Sequence, residues 1–382
     1  MVAYENELSR LVEQLNRSTA AVKTPEETNN LDQLLALAVQ RNASDILLVA
    51  GSAIALRVRG ALLSASSKPL AVEEIRSLLL PLLTAAQAEE LTKERSLDFC
   101  FVRGNIGRFR ANFHYQRGTL AASIRLLPAQ IPSIESLHLP PFLGQLAERR
   151  QGLVLLTGPT GSGKTSTLAA IIDLINARRR DHIITIEDPI EYQHVNRNSI
   201  VEQIQVGHDT PSFAHAVRAV LRQDPDVILV GEMRDTETMS AALTAAETGH
   251  LVLSSLHTND ASQTMSRILD ILPTGHPSQM RQQLSLALLA VISQQLVPAA
   301  DNVNRYPAVE IMMATSGIRN LIRTGQDHQI RSHISTGRSE GMMTMEQSLA
   351  ELVRSGRISR ETAMDHCYHA GELNQYLSDP AR

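Results

Sequence analysis

The chain has no tryptophan, few aromatic residues and only two cysteines. Aromatic residues make up 3% of its 382 residues, so stacking surfaces for single-stranded nucleic acid are scarce. Cys100 and Cys367 lie far apart and form no C-x-x-C pair, which argues against a disulfide framework or a zinc ribbon. This use of cysteine fits a reducing compartment such as the cytosol.

A strong positive charge and a long apolar run are also missing. Lys and Arg number 36 against 40 Asp and Glu, a formal charge of −4, which disfavours a nucleic-acid partner. The N-terminus lacks the pattern of a signal peptide, and no later stretch approaches the roughly 18 apolar residues of a membrane span. We therefore expect a cytoplasmic protein that reaches the inner face of the cytoplasmic membrane only through partners, with no nucleic acid bound.

The length of the chain suggests two folded domains after an N-terminal helix and linker at 1–30. The first domain, 31–135, reads as α+β: an amphipathic helix begins near Asn30, and alternating strands follow, with turns at 103–105 and 116–118. Several prolines between 128 and 141 favour an interdomain connection, because proline interrupts helices and strands.

The second domain, 136–382, alternates apolar strands with helical patterns. The segments GLVLLT, HIITI, DVILV and LVLSSL read as buried strands, and their spacing predicts a mostly parallel sheet covered on both faces. From about residue 265 the pattern indicates helix almost throughout, so we expect a helical C-terminal subdomain.

The octapeptide at 158–165, GPTGSGKT, matches the phosphate-loop motif G-x-x-x-x-G-K-[ST] between a strand and a helix. Its glycines let successive N–H groups face phosphates, and the helix dipole adds positive potential. Lys164 should reach the β- and γ-phosphates, and the Thr165 hydroxyl should contact Mg²⁺. We expect an ATPase that uses ATP and Mg²⁺, with a nucleotide site made of Gly158, Pro159, Thr160, Gly161, Ser162, Gly163, Lys164, Thr165 and Ser166.

Three glutamates follow predicted strands. Glu232 ends DVILV at the carboxyl edge of the sheet, where it can orient or deprotonate the attacking water, or else satisfy the dipole of the next helix. The residue before it is Gly231, where an Asp is usual. Glu187 and Glu191 follow HIITI and could hold Mg²⁺ or its waters, although a solvated turn fits their spacing equally well.

A histidine and three arginines complete the candidates. His257 stands where the strand LVLSSL should end, so it is either a sensor of the γ-phosphate or an ordinary satisfied histidine. Arg108 and Arg110 should share one strand face, and Arg125 belongs to the same basic cluster. This cluster is either a solvated sheet face or a set of arginine fingers given to a neighbouring subunit.

Four segments together resemble the Walker A, Asp-box, Walker B and His-box motifs of the type II/IV secretion ATPases: GPTGSGKT, ITIEDPIEY, LRQDPDVILVGEMRD and AAETGHLVLSSLHTNDA. The resemblance extends from SDILL near residue 44 to SEGMMTMEQSLAELVRSGRIS at 339–359. Within that superfamily the sequence looks most like the PilT-type branch, which retracts type IV pili, and residues 318–323 resemble that branch's C-terminal helix motif.

The resemblance implies an α/β fold with a RecA-like P-loop ATPase core, a PAS-like N-terminal α+β domain and a helical C-terminal subdomain. It implies a homohexamer that hydrolyses ATP to drive pilus retraction and twitching motility, a PilC-like platform protein of the inner membrane as partner, and a paralogous retraction ATPase as a further partner. The roles it carries over are a catalytic glutamate at Glu232, Asp-box carboxylates at Glu187 and Glu191, the His-box histidine at His257, and phosphate contacts from Arg108, Arg110 and Arg125.

Other functions stay open at this point. A type IV secretion or conjugation ATPase, or an accessory PilU-like retraction ATPase, would carry the same motifs. A nucleotide-gated switch that binds ATP without appreciable hydrolysis would also need the phosphate loop.

Overall fold

The structure, a computed structural model, describes residues 30–271, 277–301 and 303–378. The helix and linker predicted for 1–30 lie outside the described residues except for Asn30. The chain divides into two compact units, with the division between Leu127 and Pro128. Each unit has a core of its own, and each is described by itself below.

The first unit contains a six-stranded antiparallel sheet in the order β3-β2-β1-β6-β5-β4. Helix α1 begins after Asn30, whose side chain accepts the N–H of Asp32, so the predicted helix start is confirmed. The strands and helices are β1 (Ala43–Leu48), β2 (Ala55–Val58), β3 (Ala61–Ser64), β4 (Ser96–Arg103), β5 (Gly107–Gln116), β6 (Thr119–Leu127), α1 (Leu31–Gln40), α2 (Val72–Leu79) and α3 (Ala85–Glu94).

The hairpins of this unit match the predicted turns. Strands β4 and β5 turn after Arg103, and β5 and β6 turn through Arg117 and Gly118, which both adopt positive φ. Because side chains alternate along a strand, Phe109 and Phe113 are fully buried while the arginines between and beside them face the other way.

Residues 128–140, the predicted connection, contain no helix or strand. A 3₁₀ helix at Pro141–Glu148 follows and leads into the second sheet.

The second unit is built on a seven-stranded sheet in the order β13-β12-β7-β11-β10-β8-β9. All neighbours are parallel except β13, which pairs antiparallel with β12 at one edge. The four predicted strands are confirmed as β7, β8, β10 and β11, and they are almost entirely buried, which explains their continuous apolar sequences. The strands are β7 (Gly152–Thr157), β8 (His182–Glu187), β9 (Ile200–Gln205), β10 (Val227–Val230), β11 (Leu251–Leu256), β12 (Leu288–Pro298) and β13 (Arg305–Met313).

Helices cover this sheet and continue to the C-terminus. They are α4 (Lys164–Arg178), α5 (Phe213–Val220), α6 (Thr236–Glu247), α7 (Ala261–Ile271), α8 (Pro277–Ala287), α9 (Ser316–Thr324), α10 (Ile330–Thr336), α11 (Met345–Arg354), α12 (Arg360–His366) and α13 (Ala370–Ser378). Short 3₁₀ helices stand at Asp327–Gln329 and Arg338–Glu340 in this unit, and at Leu80–Leu82 in the first unit. Within the described residues, no helix is both long and apolar enough to cross a lipid bilayer.

The expected helical pattern from about residue 265 is wrong over two segments. Strands β12 and β13 lie there and extend the central sheet, because their apolar side chains pack into the main core on both faces. From Ser316 onward, the regular elements of the described residues are all helices, apart from a single β-bridge between Met343 and Ile311.

Candidate nucleotide-binding and catalytic site

The loop at 158–163 connects the end of β7 to the start of α4. Gly158, Gly161 and Gly163 adopt φ values of +137°, +79° and +87°, a region that residues with a side chain rarely adopt. At Gly158 a Cβ would also lie 2.0 Å from the carbonyl oxygen of Gln294. Glycine is therefore required here both by backbone conformation and by the close approach of β12.

Lys164 is held inside this loop. Its side chain is only 8% exposed, and Nζ donates to the carbonyl oxygens of Gly158, at 2.7 Å, and Pro159, at 3.1 Å. Burial lowers the pKa of Lys164, and the negative charge of Glu232 opposes this effect. The amine therefore lies beside the turn that the motif assigns to phosphates, close to the glutamate of the Walker B segment.

Polar groups around the loop fit an anion. Helix α4 begins at Lys164 without a side-chain cap from Gly163, which leaves backbone N–H groups at its first turn for a ligand. The hydroxyl of Ser162 is buried and has no hydrogen-bond partner. Thr165, the second residue of the helix, is half-buried. An orphaned buried donor beside an uncapped helix start is the arrangement that a bound phosphate completes.

Strand β12 supports the loop from behind, which sequence reasoning missed. Gln294 is buried; its Nε2 donates to the carbonyl oxygen of Ser162 at 2.7 Å, and its Oε1 accepts from the Thr167 hydroxyl at 2.9 Å. One residue earlier, Ser293 accepts a hydrogen bond from the Thr157 hydroxyl at 2.8 Å. The segment had been expected to form helix, so these contacts could not be anticipated.

Glu232 follows the end of β10 and stands at the carboxyl edge of the sheet. Its side chain is 19% exposed, with Oε1 2.7 Å from Nε of Arg234 and Oε2 3.7 Å from Nε2 of His257. At the preceding position, a Cβ on Gly231 would lie 3.2 Å from the carbonyl oxygen of Ile186. A side chain at this position would therefore need β8 to give by a few tenths of an ångström.

His257 directly follows β11, so the neighbouring strands bring it beside Glu232. The side-chain hydroxyls of Ser254 and Ser255 donate to the carbonyl oxygens of Val230 and Gly231, each at 2.7 Å, and tie the ends of β11 and β10 together. His257 itself is 47% exposed, so it can face a ligand in solution.

Glu187 ends β8 and is buried. Its Oε1 accepts from the Thr185 hydroxyl at 2.7 Å and from Gln203 Nε2 at 3.1 Å. Burial raises the pKa of Glu187, and these hydrogen bonds oppose the rise, while the nearby charge of Glu191 adds to it. The two predicted Asp-box carboxylates therefore interact with each other.

Two contacts connect this acidic segment to its surroundings. The hydroxyls of Ser166 on α4 and Tyr192 are 2.8 Å apart, which links the helix after the phosphate loop to the Asp box. Gln203 on β9 donates to the carbonyl oxygen of Tyr192 at 2.9 Å and accepts from the N–H of His194 at 2.8 Å. Strand β9 was not anticipated from the sequence, so the role of Gln203 in supporting Glu187 was missed.

The three candidate arginines lie in the first unit, on β5 and β6. Arg110 stands opposite Arg125 in the sheet register. Arg110 is 3.8 Å from Asp98, and Arg125 donates to Asp45 at 2.9 Å. Both arginines are therefore paired with carboxylates of their own unit, and a role as arginine fingers stays a prediction.

Similarity to known proteins agrees with this geometry. Residues 26–374 match the family model for type II/IV secretion system proteins. The chain is 45% identical over 309 residues to a twitching motility protein of Neisseria gonorrhoeae, covering 81% of this chain and 82% of that protein. It is 41% identical over 336 residues to the type IV pilus retraction ATPase PilT of Pseudomonas aeruginosa, covering 88% and 97%.

A solved structure is similar over nearly the same length. The crystal structure of the pilus retraction motor PilT with bound ADP superposes with a TM-score of 0.85 at 44% identity, covering 91% of this chain and 99% of that one. The likeness therefore spans both compact units and the whole phosphate-loop sheet.

Proposed function

The chain belongs to the type II/IV secretion system protein family, and from this premise we propose that it is the motor ATPase that retracts type IV pili. It is an ATP hydrolase with a RecA-like core. One observation carries the enzymatic part of the proposal: Glu232 and His257 lie side by side at the carboxyl edge of one parallel sheet, and the charge of Glu232 acts on Lys164 in the glycine loop. The similarity to pilus retraction ATPases carries the cellular part.

Residues 158–166 hold the nucleotide in this proposal. The loop N–H groups and the Ser162 hydroxyl bind phosphate oxygens, and Lys164 exchanges its two loop carbonyl partners for the β- and γ-phosphates. Thr165 and Glu187 would hold Mg²⁺, because hydroxyl and carboxylate oxygens are the kind of ligand that this ion takes. When bound, the ion would supply positive charge that neutralises the phosphates.

Glu232 orients or deprotonates the attacking water. The carboxylate is fixed from one side by Arg234 and lies within reach of His257 on the other. His257 contacts the γ-phosphate and so ties the position of Glu232 to the nucleotide state. Glu191 adds negative charge beside Glu187, the carboxylate assigned to Mg²⁺ in this proposal.

The mechanical step uses the two units of the chain. Nucleotide binding and hydrolysis change the angle between them through the connection at 128–140, a mode of closure that many nucleotide enzymes use. Six copies form a ring, in which Arg108, Arg110 and Arg125 of a neighbour contact the phosphates. The ring turns a PilC-like platform protein at the inner face of the cytoplasmic membrane, with a paralogous ATPase as a further partner.

The enzymatic part of the proposal is tested by Glu232→Gln. We expect kcat for ATP to fall at least about a hundredfold, the usual contribution of a positioned acid or base, while ADP still binds. Glu361→Gln, an exposed glutamate of helix α12, serves as the control and should leave turnover unchanged. Full turnover by Glu232→Gln would remove the assigned mechanism.

The cellular part is tested by deleting the gene and counting surface pili together with surface motility. A retraction motor predicts excess pili without movement. Salt-sensitive DNA binding with DNA-stimulated turnover would instead favour a type IV secretion or conjugation ATPase, because neutralised phosphates appear in the salt dependence.

A further inference from the structure

Two side chains from distant parts of the second unit hold the short segment between His257 and helix α7. Glu310, on β13, accepts the N–H of Ala261 through Oε1 at 2.9 Å. Tyr368, between α12 and α13, donates its hydroxyl proton to the carbonyl oxygen of Asn259 at 3.3 Å. The segment at 259–261 is therefore bonded by side chains at one backbone donor, the N–H of Ala261, and at one backbone acceptor, the carbonyl oxygen of Asn259.

Glu310 is buried, with 3% of its surface exposed. Burial raises the pKa of its carboxyl group to about 7; the Ala261 N–H and the positive charge of Arg331 oppose the rise, and the charges of Asp260 and Glu346 add to it. Both the neutral and the ionised carboxyl group keep an oxygen that accepts the N–H at the start of α7. The contact therefore persists across neutral pH.

Tyr368 is itself anchored. Its backbone N–H and that of His369 both donate to Oε1 of Glu346 at 3.0 Å, and Glu346 is fully buried and paired with Arg331 at 2.9 Å. Tyr368 is 42% exposed, and the burial of the rest of its side chain, with the nearby charges of Glu310, Asp260 and Glu346, raises its pKa to about 12. The phenol therefore keeps its proton and remains a donor.

The segment has few other supports on the way to His257. The hydroxyl groups of Thr258 and Thr264 are 2.7 Å apart, and Asp260 accepts the N–H of Gln263 through Oδ1 at 2.8 Å. These contacts tie the segment to its own helix α7, which is held in turn by the Ser262 hydroxyl donating to the carbonyl oxygen of Asp327 at 3.3 Å and by the buried side chains of Ala261 and Met265. Glu310 and Tyr368 add the two contacts that reach the segment itself from other elements. The next residue outward, His257, lies 3.7 Å from Glu232.

We propose that Glu310 and Tyr368 are positioning residues that clamp the segment at 259–261 and thereby aim His257 at Glu232. Tyr368 stands between the C-terminal helices α12 and α13, so the clamp connects this part of the chain to the sheet edge where Glu232 and His257 lie. The inference rests on the proposed role of His257 in turnover.

The first experiment measures ATP turnover and ADP affinity in Glu310→Met, Glu310→Gln and Tyr368→Phe. Loss of one such hydrogen bond should lower kcat about five- to tenfold in Glu310→Met and a few-fold in Tyr368→Phe. ADP affinity should stay unchanged, because the phosphate loop is not touched. Glu310→Gln keeps an acceptor oxygen and should keep most of the turnover. Tyr306→Phe, at a tyrosine of β13 whose ring packs beside His138, is the matched control and should match the parent.

The second experiment combines Glu310→Met, and separately Tyr368→Phe, with His257→Ala. If the clamp acts through His257, each second change should cost little further turnover once the imidazole is gone. An equal fold-loss in both backgrounds, or a fall in ADP affinity that parallels kcat, would overturn the clamp. Unchanged turnover in His257→Ala would instead overturn the assigned role of His257. If Tyr368→Phe lowered turnover while His257→Ala did not, the segment at 259–261 would affect turnover without acting through His257.

Discussion

Gln294 stabilises the phosphate loop although it lies 132 residues after Ser162 in the chain. Both ends of its side-chain amide are bonded, because Nε2 donates to the loop and Oε1 accepts from Thr167 on helix α4. The carbonyl oxygen of the same residue sits where a side chain at Gly158 would have to go. The loop shape therefore depends on β12 as much as on its own glycines.

We predict that Gln294→Ala weakens ADP binding by about 1–3 kcal/mol, the cost of leaving buried polar groups without partners. Ser162 and Thr167 lose a partner each, and the loop should become free to leave its phosphate-binding shape. Titration of ADP followed by calorimetry measures the change. Gln295→Ala is the matched control: this neighbouring residue bonds the carbonyl oxygen of His366, away from the loop. Equal ADP affinity in both variants would contradict the prediction.

The sequence places Glu232 and His257 after two strands of a parallel sheet, and the structure brings the two side chains to 3.7 Å from each other, while their catalytic roles stay predictions. The carboxyl ends of parallel strands lie at the same edge of a sheet, so the position of each residue after its strand was enough to predict that both lie at this edge. Gln203, Gln294 and the constraint on Gly231 were not accessible from sequence. Each depends on which strands become neighbours, and local patterns carry no information about strand order.

Helices α8 and α9 cap each other with arginines. Arg319 on α9 donates to the carbonyl oxygens of Ala314, at 2.8 Å, and Leu286, at 2.7 Å, at the end of α8. In return Arg281 on α8 donates to the carbonyl oxygen of Ile322 at 3.0 Å and forms two bonds of 2.9 Å to Asp327. The last carbonyl groups of each helix are satisfied by a cation of the other.

These caps give a structural role to residues 318–323, the segment that resembles the C-terminal helix motif of the PilT-type branch. Three of its side chains, Ile318, Leu321 and Ile322, are buried in the main core, so the segment is a packing helix as well. Arg319 is the residue of this segment that bonds α8, and Arg281 of α8 adds a second bond between the two helices.

We predict that Arg319→Gln lowers the free energy of unfolding by about 1–3 kcal/mol, because the terminal carbonyl groups of α8 lose their charged donor. In a unit of this size that corresponds to a fall in Tm of roughly 2–4 °C per kcal/mol. Thermal unfolding followed by circular dichroism measures it. Arg323→Gln, one turn later, removes only a bond to Asn320 at the surface and should leave Tm nearly unchanged. A Tm shift of the same size in both variants would refute the capping role.

Strands β12 and β13 show where element prediction fails. The segment LLAVISQQLVP begins with a continuous apolar run because most of the strand is buried, and such a run cannot be told from a buried helix by periodicity. Strand β9, IVEQIQ, carries charge and stands at the edge of the sheet. Strands with clear turns or clear alternation, such as β4, β5 and β6, were predicted correctly.

At the scale of the whole molecule, the candidate arginines and the phosphate loop belong to different compact units. Arg110 and Arg125 pair with carboxylates of their own unit, Asp98 and Asp45. An arginine that turned to a phosphate would therefore exchange one anionic partner for another. The pairs are partly exposed, and pairs of that kind contribute little to stability, so the exchange costs little. In the proposed ring these arginines would serve the neighbour's nucleotide.

We predict that mixing two inactive variants restores turnover if the arginines act between subunits. Arg110→Ala subunits keep a complete phosphate loop and Glu232, while Glu232→Gln subunits keep the arginines. A ring with both kinds of subunit places an intact site beside an intact arginine and recovers part of the parental rate, measured as phosphate release after the two proteins are co-expressed.

Arg108→Ala and Arg125→Ala are mixed with Glu232→Gln in the same way, so that the recovery of each mixture identifies which arginine reaches the neighbour. Glu232→Gln mixed with Lys164→Ala is the control, because both changes damage the same unit and no arrangement yields an intact site. A mixture of Arg110→Ala and Glu232→Gln that is no faster than the mean of its parts means that Arg110 acts within its own subunit, since each subunit then lacks one of the two groups that its own site requires.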